Sequence, residues 1–506
     1  MESGGNPDFI PDLTYEKFLE FHKTYYHPSN SYIYIYGDMD MNRTLDWLDK
    51  EYLSEFENIS VSSEIGVQKP FETMREVREA YSISESEPEE NNTYLSYNFV
   101  TGDILDKELY LAFQILEYAI VSMPGSPIKK ALLEKGIGKD ISGRYNNYIL
   151  QPYFTFTAKN ANEKDKDEFV STIRSVLQDL YENGIDKSSL LAALNNYEFQ
   201  YRENEFGSYP KGLMFSFQVY DSWLYDDKEP FRHLEQNEQF AKLREMLNTD
   251  YFEQLIKKYF LENNHSSLVV IVPEKGLTTK KDEELKAKLA AVKEKMSPEE
   301  RQALAVKTAE LKKYQETPST REELDTIPVL KREDLSDEVE PFYNTELSLN
   351  GTTIVRHDIF TNGIAYFNLS FDITDIPFDI MPYLSILKGI LGYMDTERHT
   401  YSELSNEIGI HTGGIYLENN LYRRVDDFEK YRLRGKVFFE KIDKALDLVE
   451  EMLFQTKVED KKRLYEIICE GKTNLQGFLL RASDAAAAVR NLSYLSKAGA
   501  VSEKIK

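Results

Sequence analysis

One helix-and-strand module occurs twice in this chain, and the places where it stands constrain the fold more than any other feature. The first copy lies in Glu2 to Asp40, ESGGNPDFIPDLTYEKFLEFHKTYYHPSNSYIYIYGDMD. A helix is predicted to start at Asp12-Leu13-Thr14, with Glu16 and Glu20 in its early turns and Phe18, Phe21 and Tyr25 on one apolar face. Pro28 disfavours helical backbone at His27, so the helix ends there, and the β-prone run Tyr32 to Tyr36 reads as a strand closed by Gly37-Asp38. Shifted without a gap, Tyr15, Leu19 and Ser31 fall on Tyr251, Leu255 and Ser267, while Ile33 and Ile35 fall on Val269 and Ile271. The later copy follows roughly 200 residues of other elements, a usual place for the closing module of a domain. The first copy therefore reads as the end of a domain although it stands at the beginning, and no earlier strand exists to receive its own. Glu2 to Glu57 is accordingly expected to be mobile, or to pair elsewhere and promote association.

A second echo joins Leu133 to Tyr145, LEKGIGKDISGRY, with Leu404 to Tyr416, LSNEIGIHTGGIY. Leu133, Gly138, Gly143 and Tyr145 fall on Leu404, Gly409, Gly414 and Tyr416. After a short insertion, Lys159 and Glu163 fall on Lys436 and Glu440, ahead of amphipathic helices expected at 166 to 182 and 440 to 454. Two related domains are the consequence. The second should also close with a helix and strand, yet the sequence reaches Lys506 through an Ala-rich helical stretch, so both ends read as truncated.

A chain of 506 residues suggests about three domains, and 41 % hydrophobic with 13 % aromatic residues is ample for packed cores. The single cysteine, Cys469, permits no intrachain disulfide and reads as a small buried hydrophobe rather than a nucleophile. No apolar run approaches the roughly 18 residues of a membrane span, and the amino terminus lacks a basic-then-apolar leader, so a cytoplasmic protein without a membrane partner is expected. A net charge of -26 argues against nucleic acid as partner and favours cationic ones, or serves solubility alone.

Between the two related domains, Leu285, Leu289, Val292 and Met296 recur at helical spacing among Lys and Glu. Ser297-Pro298-Glu299-Glu300 then supplies an N-cap, a proline at the first helical position and early carboxylates, which predicts a helical hairpin ended by Thr317-Pro318-Ser319. It is either a solvated linker or a semi-rigid spacer between two halves.

The search for catalytic chemistry is mostly negative. The seven histidines, His22, His27, His233, His265, His357, His399 and His411, form neither His-Glu-x-x-His nor its inverse His-x-x-Glu-His, the patterns that set two imidazoles one helical turn apart around zinc. His22 and His27 lie on different helical faces. His399, Glu403, Glu407 and His411 are spaced by four like a ligand ladder, but the echo breaks the helix near Gly409 and removes His411 from it. There is no phosphate-binding Gly-x-x-x-x-Gly-Lys-Ser/Thr loop, no Gly-x-Ser-x-Gly elbow and no Cys-x-x-Cys. The glycines of 133 to 145 read as turns with positive φ. Tyr145, Tyr148, Tyr153, Phe154 and Phe156, with no basic stripe beside them, read as strand core. Catalytic and metal residues are therefore assigned to none.

The block IPDLTYEKFLEFHKTYYHPSNSYIYIYGDMD closely resembles the end of the first domain in the presequence-protease branch of the pitrilysin/insulinase zinc metallopeptidases. The likeness continues through Gly125 to Gly138, GSPIKKALLEKGIG, through Gly207 to Gly212, GSYPKG, and into the hairpin and third domain. It implies an α+β fold: repeated pitrilysin-like domains, each an antiparallel sheet with helices packed on it, plus a helical hairpin, closing as two bowl-shaped halves around unfolded peptides. On this basis 1-65 is the C-terminal remnant of a first domain, 66-274 a complete second domain, 275-335 the hairpin and 336-506 a third domain lacking its end.

The family's inverted His-x-x-Glu-His motif and third zinc ligand precede this block, so none carries over. The resemblance implies zinc in an intact parent, none in this chain, and missing first and fourth domains as partners. It also places Gly125 and Ser126 near a binding site for the substrate amino terminus. The expected function is the chamber wall of a zinc metalloendopeptidase that degrades unfolded peptides, inert alone, with an acidic chamber favouring basic peptides. The alternative is a noncatalytic interaction or scaffold protein of the same fold.

Overall fold

Alternating burial along three strands builds the first sheet. In the computed structural model, which describes residues 4–339, 341–361, 363–422 and 428–505, strands β1 (Arg75–Ile83), β2 (Thr93–Val100), β3 (Asp140–Asn146), β4 (Tyr153–Ala161) and β5 (Ser266–Lys275) lie in the order β1-β5-β2-β4-β3. Glu2, where the opening block begins, lies outside the described residues. Strands β2, β4 and β5 bury every second side chain, as a sheet covered on one face requires. Helices Lys107–Glu117, Pro127–Glu134 and Lys166–Asn183 bury their apolar residues in the same region. The core is aromatic: Phe99, Phe113, Phe154, Phe156 and Phe260 are all within 1 % of full burial. Phe260 stands 5.0 Å from Phe154 and 5.2 Å from Phe99, ring centre to ring centre.

The second echo reappears as architecture. Strands β8 (Ile364–Asp372), β9 (Ile415–Tyr422) and β10 (Phe428–Phe438) form an antiparallel sheet in the order β8-β10-β9. Helix Pro127–Glu134 leads into edge strand β3, then β4, then helix Lys166–Asn183; helix Tyr401–His411 leads into edge strand β9, then β10, then helix Ile442–Phe454. The sheet order β2-β4-β3 matches β8-β10-β9. The two helices expected at 166 to 182 and 440 to 454 are both present, the second starting at Ile442 after a turn of 3-10 helix. Of the glycines in the first echo, Gly136 and Gly138 have φ of +73° and +75°, whereas Gly143 is extended and packs under Val121 and Glu117.

The opening block is half as expected. Thr14 caps helix Tyr15–Tyr25, and Pro28 follows its end. Tyr32 to Tyr36, however, is extended without joining a ladder. A strand needs a neighbouring backbone, and the run instead lays its rings on helix Lys211–Trp223: Tyr32 on Trp223 at 4.8 Å, Tyr34 on Tyr220 at 6.4 Å and Tyr36 on Phe215 at 5.8 Å. No described residue before Glu57 is buried, and Tyr15, Phe18 and Phe21 of the apolar helix face are exposed. Amide hydrogen exchange should therefore be faster across 14–36 than across β2; protection as slow as that of β2 would contradict this picture.

The chain divides into two compact units. Unit one holds Met1–Glu79, Glu90–Ile271 and Ile364–Lys506, and so contains both families of helices just described; unit two holds Ala80–Glu89 and Val272–Gly363. In unit two, helices Leu277–Lys295 and Pro298–Glu316 form the hairpin. Ser297 and Glu300 close a capping box at its turn, which Arg301 Nε ties to the Lys293 carbonyl at 3.0 Å. A two-stranded ribbon, β6 (Asn344–Leu349) and β7 (Thr352–His357), turns at Asn350-Gly351, both with positive φ. No helix among the described residues is long and apolar enough to cross a membrane.

A buried polar group inside unit one gives a pH prediction. His233, 1 % exposed, stacks on Tyr110 at 3.9 Å, and the Tyr110 hydroxyl donates to Asp221 Oδ2 at 3.1 Å. Burial pushes His233 down from 6.5 to about 4, so its contribution to stability is present above 6.5 and lost as pH falls through 4. Burial pushes Asp221 up from 3.8 to about 6, so the folded chain takes up that proton first, and stability rises as pH falls from 6 towards 3.8. The two slopes oppose each other. Urea midpoints of Asp221→Asn should fall more steeply than wild type between pH 6.5 and 4, and those of His233→Gln should fall less; identical slopes would contradict both assignments.

Candidate functional site

A cleft of about 680 Å³ opens within unit one, where the turn after helix Lys107–Glu117 meets edge strand β9 and helix Lys461–Arg481. Its first wall comes from the second-domain helices. Helix Lys107–Glu117 runs on as a single π-helical turn, Tyr118–Ser122, and Met123 to Gly125 then turns the chain into helix Pro127–Glu134. Gly125 has φ of +77°, and a Cβ there would stand 2.8 Å from the Ser402 side chain, so glycine answers both the turn and the close approach. Gly125 thus lines the cleft. Ser126 does not: it is 3 % exposed, and its hydroxyl donates to the Val121 carbonyl at 2.6 Å, fixing the turn from beneath.

The second wall is built by the echo of the first. A Thr400–Glu403 capping box starts helix Tyr401–His411, and that helix packs on helix Lys187–Glu203. Asn406 Nδ2 donates to Ser188 Oγ at 2.9 Å, and Asn195 Nδ2 to the Ile410 carbonyl at 3.4 Å. Across the cleft, Lys129 Nζ pairs with Glu470 Oε1 at 3.0 Å, tying the first wall to helix Lys461–Arg481. The Arg463 guanidinium lies 4.2 Å over the Tyr401 ring, pairs with Glu466 at 3.2 Å, and donates from Nε to the Tyr393 carbonyl.

The chemistry offered is recognition. Desolvation pushes the Tyr118 hydroxyl up to about 12, and raises Tyr393 and Tyr416 as well, so all three are neutral donors at physiological pH. Burial also raises Glu117 behind them, opposed by the hydrogen bond from Ser122. None of the cleft's side chains is His or Cys, and no nucleophile there is paired with a base. Five acidic side chains and five basic ones line it. The cleft is therefore charge-balanced within a chain of net charge -26.

The histidines are engaged elsewhere. His399 lies before the helix, with Nδ1 2.8 Å from the buried Glu451. The helix does not break at Gly409 but runs through His411, because Gly409 allows close packing on Ala192, and His411 stands 3.7 Å from Glu407. His22 stacks on Tyr26, His27 caps a turn through Ser29, and His265 packs on Phe71. Cys469 is partly exposed rather than buried, since its helix has no buried residue. Among the described residues no group of three His, Cys, Asp or Glu side chains could hold a metal ion, so these residues do not fit zinc.

Two family models match: Peptidase M16 inactive domain over residues 12–197, and the associated domain of the C subgroup of peptidase M16 over residues 271–506. This chain belongs to the M16 peptidase family. Among its relatives are Protein HypA of Clostridium perfringens, 42 % identical over 100 % of this chain and 52 % of that protein, and presequence protease 1, chloroplastic/mitochondrial, of Arabidopsis thaliana, 33 % identical over 100 % of this chain and 48 % of that protein. The chain spans about half the length of these M16 relatives. Pitrilysin is a distant structural neighbour, with a TM-score of 0.45 and 13 % identity over 95 % of this chain and 48 % of its own.

Proposed function

We propose that this M16 chain is the noncatalytic, peptide-binding part of a zinc metalloendopeptidase that degrades unfolded peptides, and that it is inert towards peptides by itself. The observation that carries this reading is the pairing of a match to the family's inactive domain with a cleft equipped for binding alone. Neutral hydroxyls, ammonium groups and apolar walls can hold a peptide, but hydrolysis needs an activated water or nucleophile, which these residues do not provide. Gly125 serves in this reading as a wall of the peptide cleft and Ser126 as the brace of that wall. The long-range field of the acidic chain favours the approach of basic peptides, within a screening length of roughly 8 Å at physiological salt.

The test is direct. The purified chain, given a labelled unfolded peptide, should raise its fluorescence anisotropy without cleaving it. Turnover that a chelator abolishes would overturn the proposal, and so would failure of any unfolded peptide to bind.

A further inference from the structure

Strand β9 stands at the edge of its sheet, and Ile415, Tyr416 and Leu417 of that edge line the cleft. On its inner side β9 pairs with β10, Leu417 opposite Leu433 and Ile415 opposite Gly435. Among the described residues, no hydrogen bond from any other element reaches the backbone of these three positions. Further along, Asn419 Nδ2 donates to Ser385 Oγ and to the Ile505 carbonyl, so the strand becomes covered just beyond Leu417. Ile415 and Leu417 anchor the strand in its own core at 8 % and 7 % exposure, which holds the open stretch rigid. A short, rigid, unpaired edge inside a cleft is a template for one more strand.

The charges around it say what that strand carries. Lys129 and Arg463 are neutralised by Glu470 and Glu466. Asp395 accepts from the Tyr401 amide and Asp460 from the Arg463 amide. Lys130, Lys388 and Lys462 are exposed at the cleft and have no ion pair among the described residues, with Glu134 alone in that position on the acidic side. The local demand is for carboxylates, although the chain as a whole is strongly acidic.

We propose that the Ile415–Leu417 edge takes an extended peptide segment bearing carboxylate groups, which adds to β9 as a further strand while Lys130, Lys388 and Lys462 meet its acidic groups. This rests on the peptide-binding reading and specifies its site and ligand class. The overall field and the cleft then act at different ranges: the first attracts basic peptides, the second retains acidic stretches within them.

Three labelled peptides of equal length test it on the whole chain by anisotropy: one with glutamate at alternate apolar-flanked positions, one with lysine there, and the glutamate peptide N-methylated on alternate amides. The glutamate peptide should bind about tenfold tighter than the other two. A Lys130→Glu, Lys388→Glu, Lys462→Glu variant, substituted only at exposed positions and checked for an unchanged melting curve, should reverse the preference. Preference of the wild type for lysine, or glutamate-peptide binding untouched by both the triple variant and N-methylation, would overturn the β9 assignment while leaving general peptide binding intact. Absence of binding by all three would overturn both.

Discussion

Phe260→Ala should destabilise the chain by about 4 kcal/mol, among the largest effects of any single substitution in it. Phe260 is fully buried on the π-helical turn Lys257–Leu261 that carries the helix starting at Tyr251 into β5. Its ring meets Phe154, Phe99, Phe156 and Phe113 at 5.0, 5.2, 5.7 and 6.1 Å. Truncation removes the transfer free energy of the ring, leaves a cavity that four rigid rings cannot close, and forfeits edge-to-face contacts worth about 1 kcal/mol beyond area. Urea titration measures it. The control is Phe18→Ala, which lies on the corresponding helix of the first module but is 59 % exposed, and should shift the midpoint by little. A Phe260→Ala loss no larger than that of Phe18→Ala would contradict the assigned core.

Lys436→Met should cost about 3 kcal/mol, and adding Glu203→Leu should restore most of it. Glu203 is 6 % exposed at the end of helix Lys187–Glu203, where it accepts a short ion-paired contact from Lys436 on β10 and a hydrogen bond from the Tyr366 hydroxyl at 2.9 Å. Removing only the lysine leaves a buried carboxylate with a single donor. Removing both replaces the pair by apolar surface beside Phe199 and Phe438, whose rings already meet at 4.9 Å. The double-mutant cycle, read by chemical denaturation, should give a coupling well above the few tenths expected of independent sites. Additive losses would mean that this joint does not depend on the pair.

Local signals were legible wherever a few neighbouring residues determine the outcome. Thr14, Pro28 and the Ser297 to Glu300 box place helix ends correctly because a cap is a matter of three or four consecutive residues. The strand Thr93–Val100 and the echo of 133–145 in 404–416 also appear as read, since period and spacing survive in the fold. Asn350-Gly351 was an available hairpin signal that the sequence reading passed over. Tyr32 to Tyr36 misled because β-propensity reports a side chain's fit to a sheet, not the presence of a neighbouring strand. His411 misled because Gly409 can mark either a helix end or a close helix crossing. The cleft was legible only at Gly125: its walls bring Tyr118 together with Glu470, far apart in sequence, and no local pattern encodes that approach.

The central claim is that this M16 chain recognises peptides and holds no catalytic metal of its own. Metal content of the purified chain, measured by elemental mass spectrometry after dialysis against a chelator and re-equilibration with zinc, tests it most directly. The prediction is zinc far below one ion per chain, with no change in the melting curve. One tightly held zinc per chain, lost only on unfolding, would contradict it.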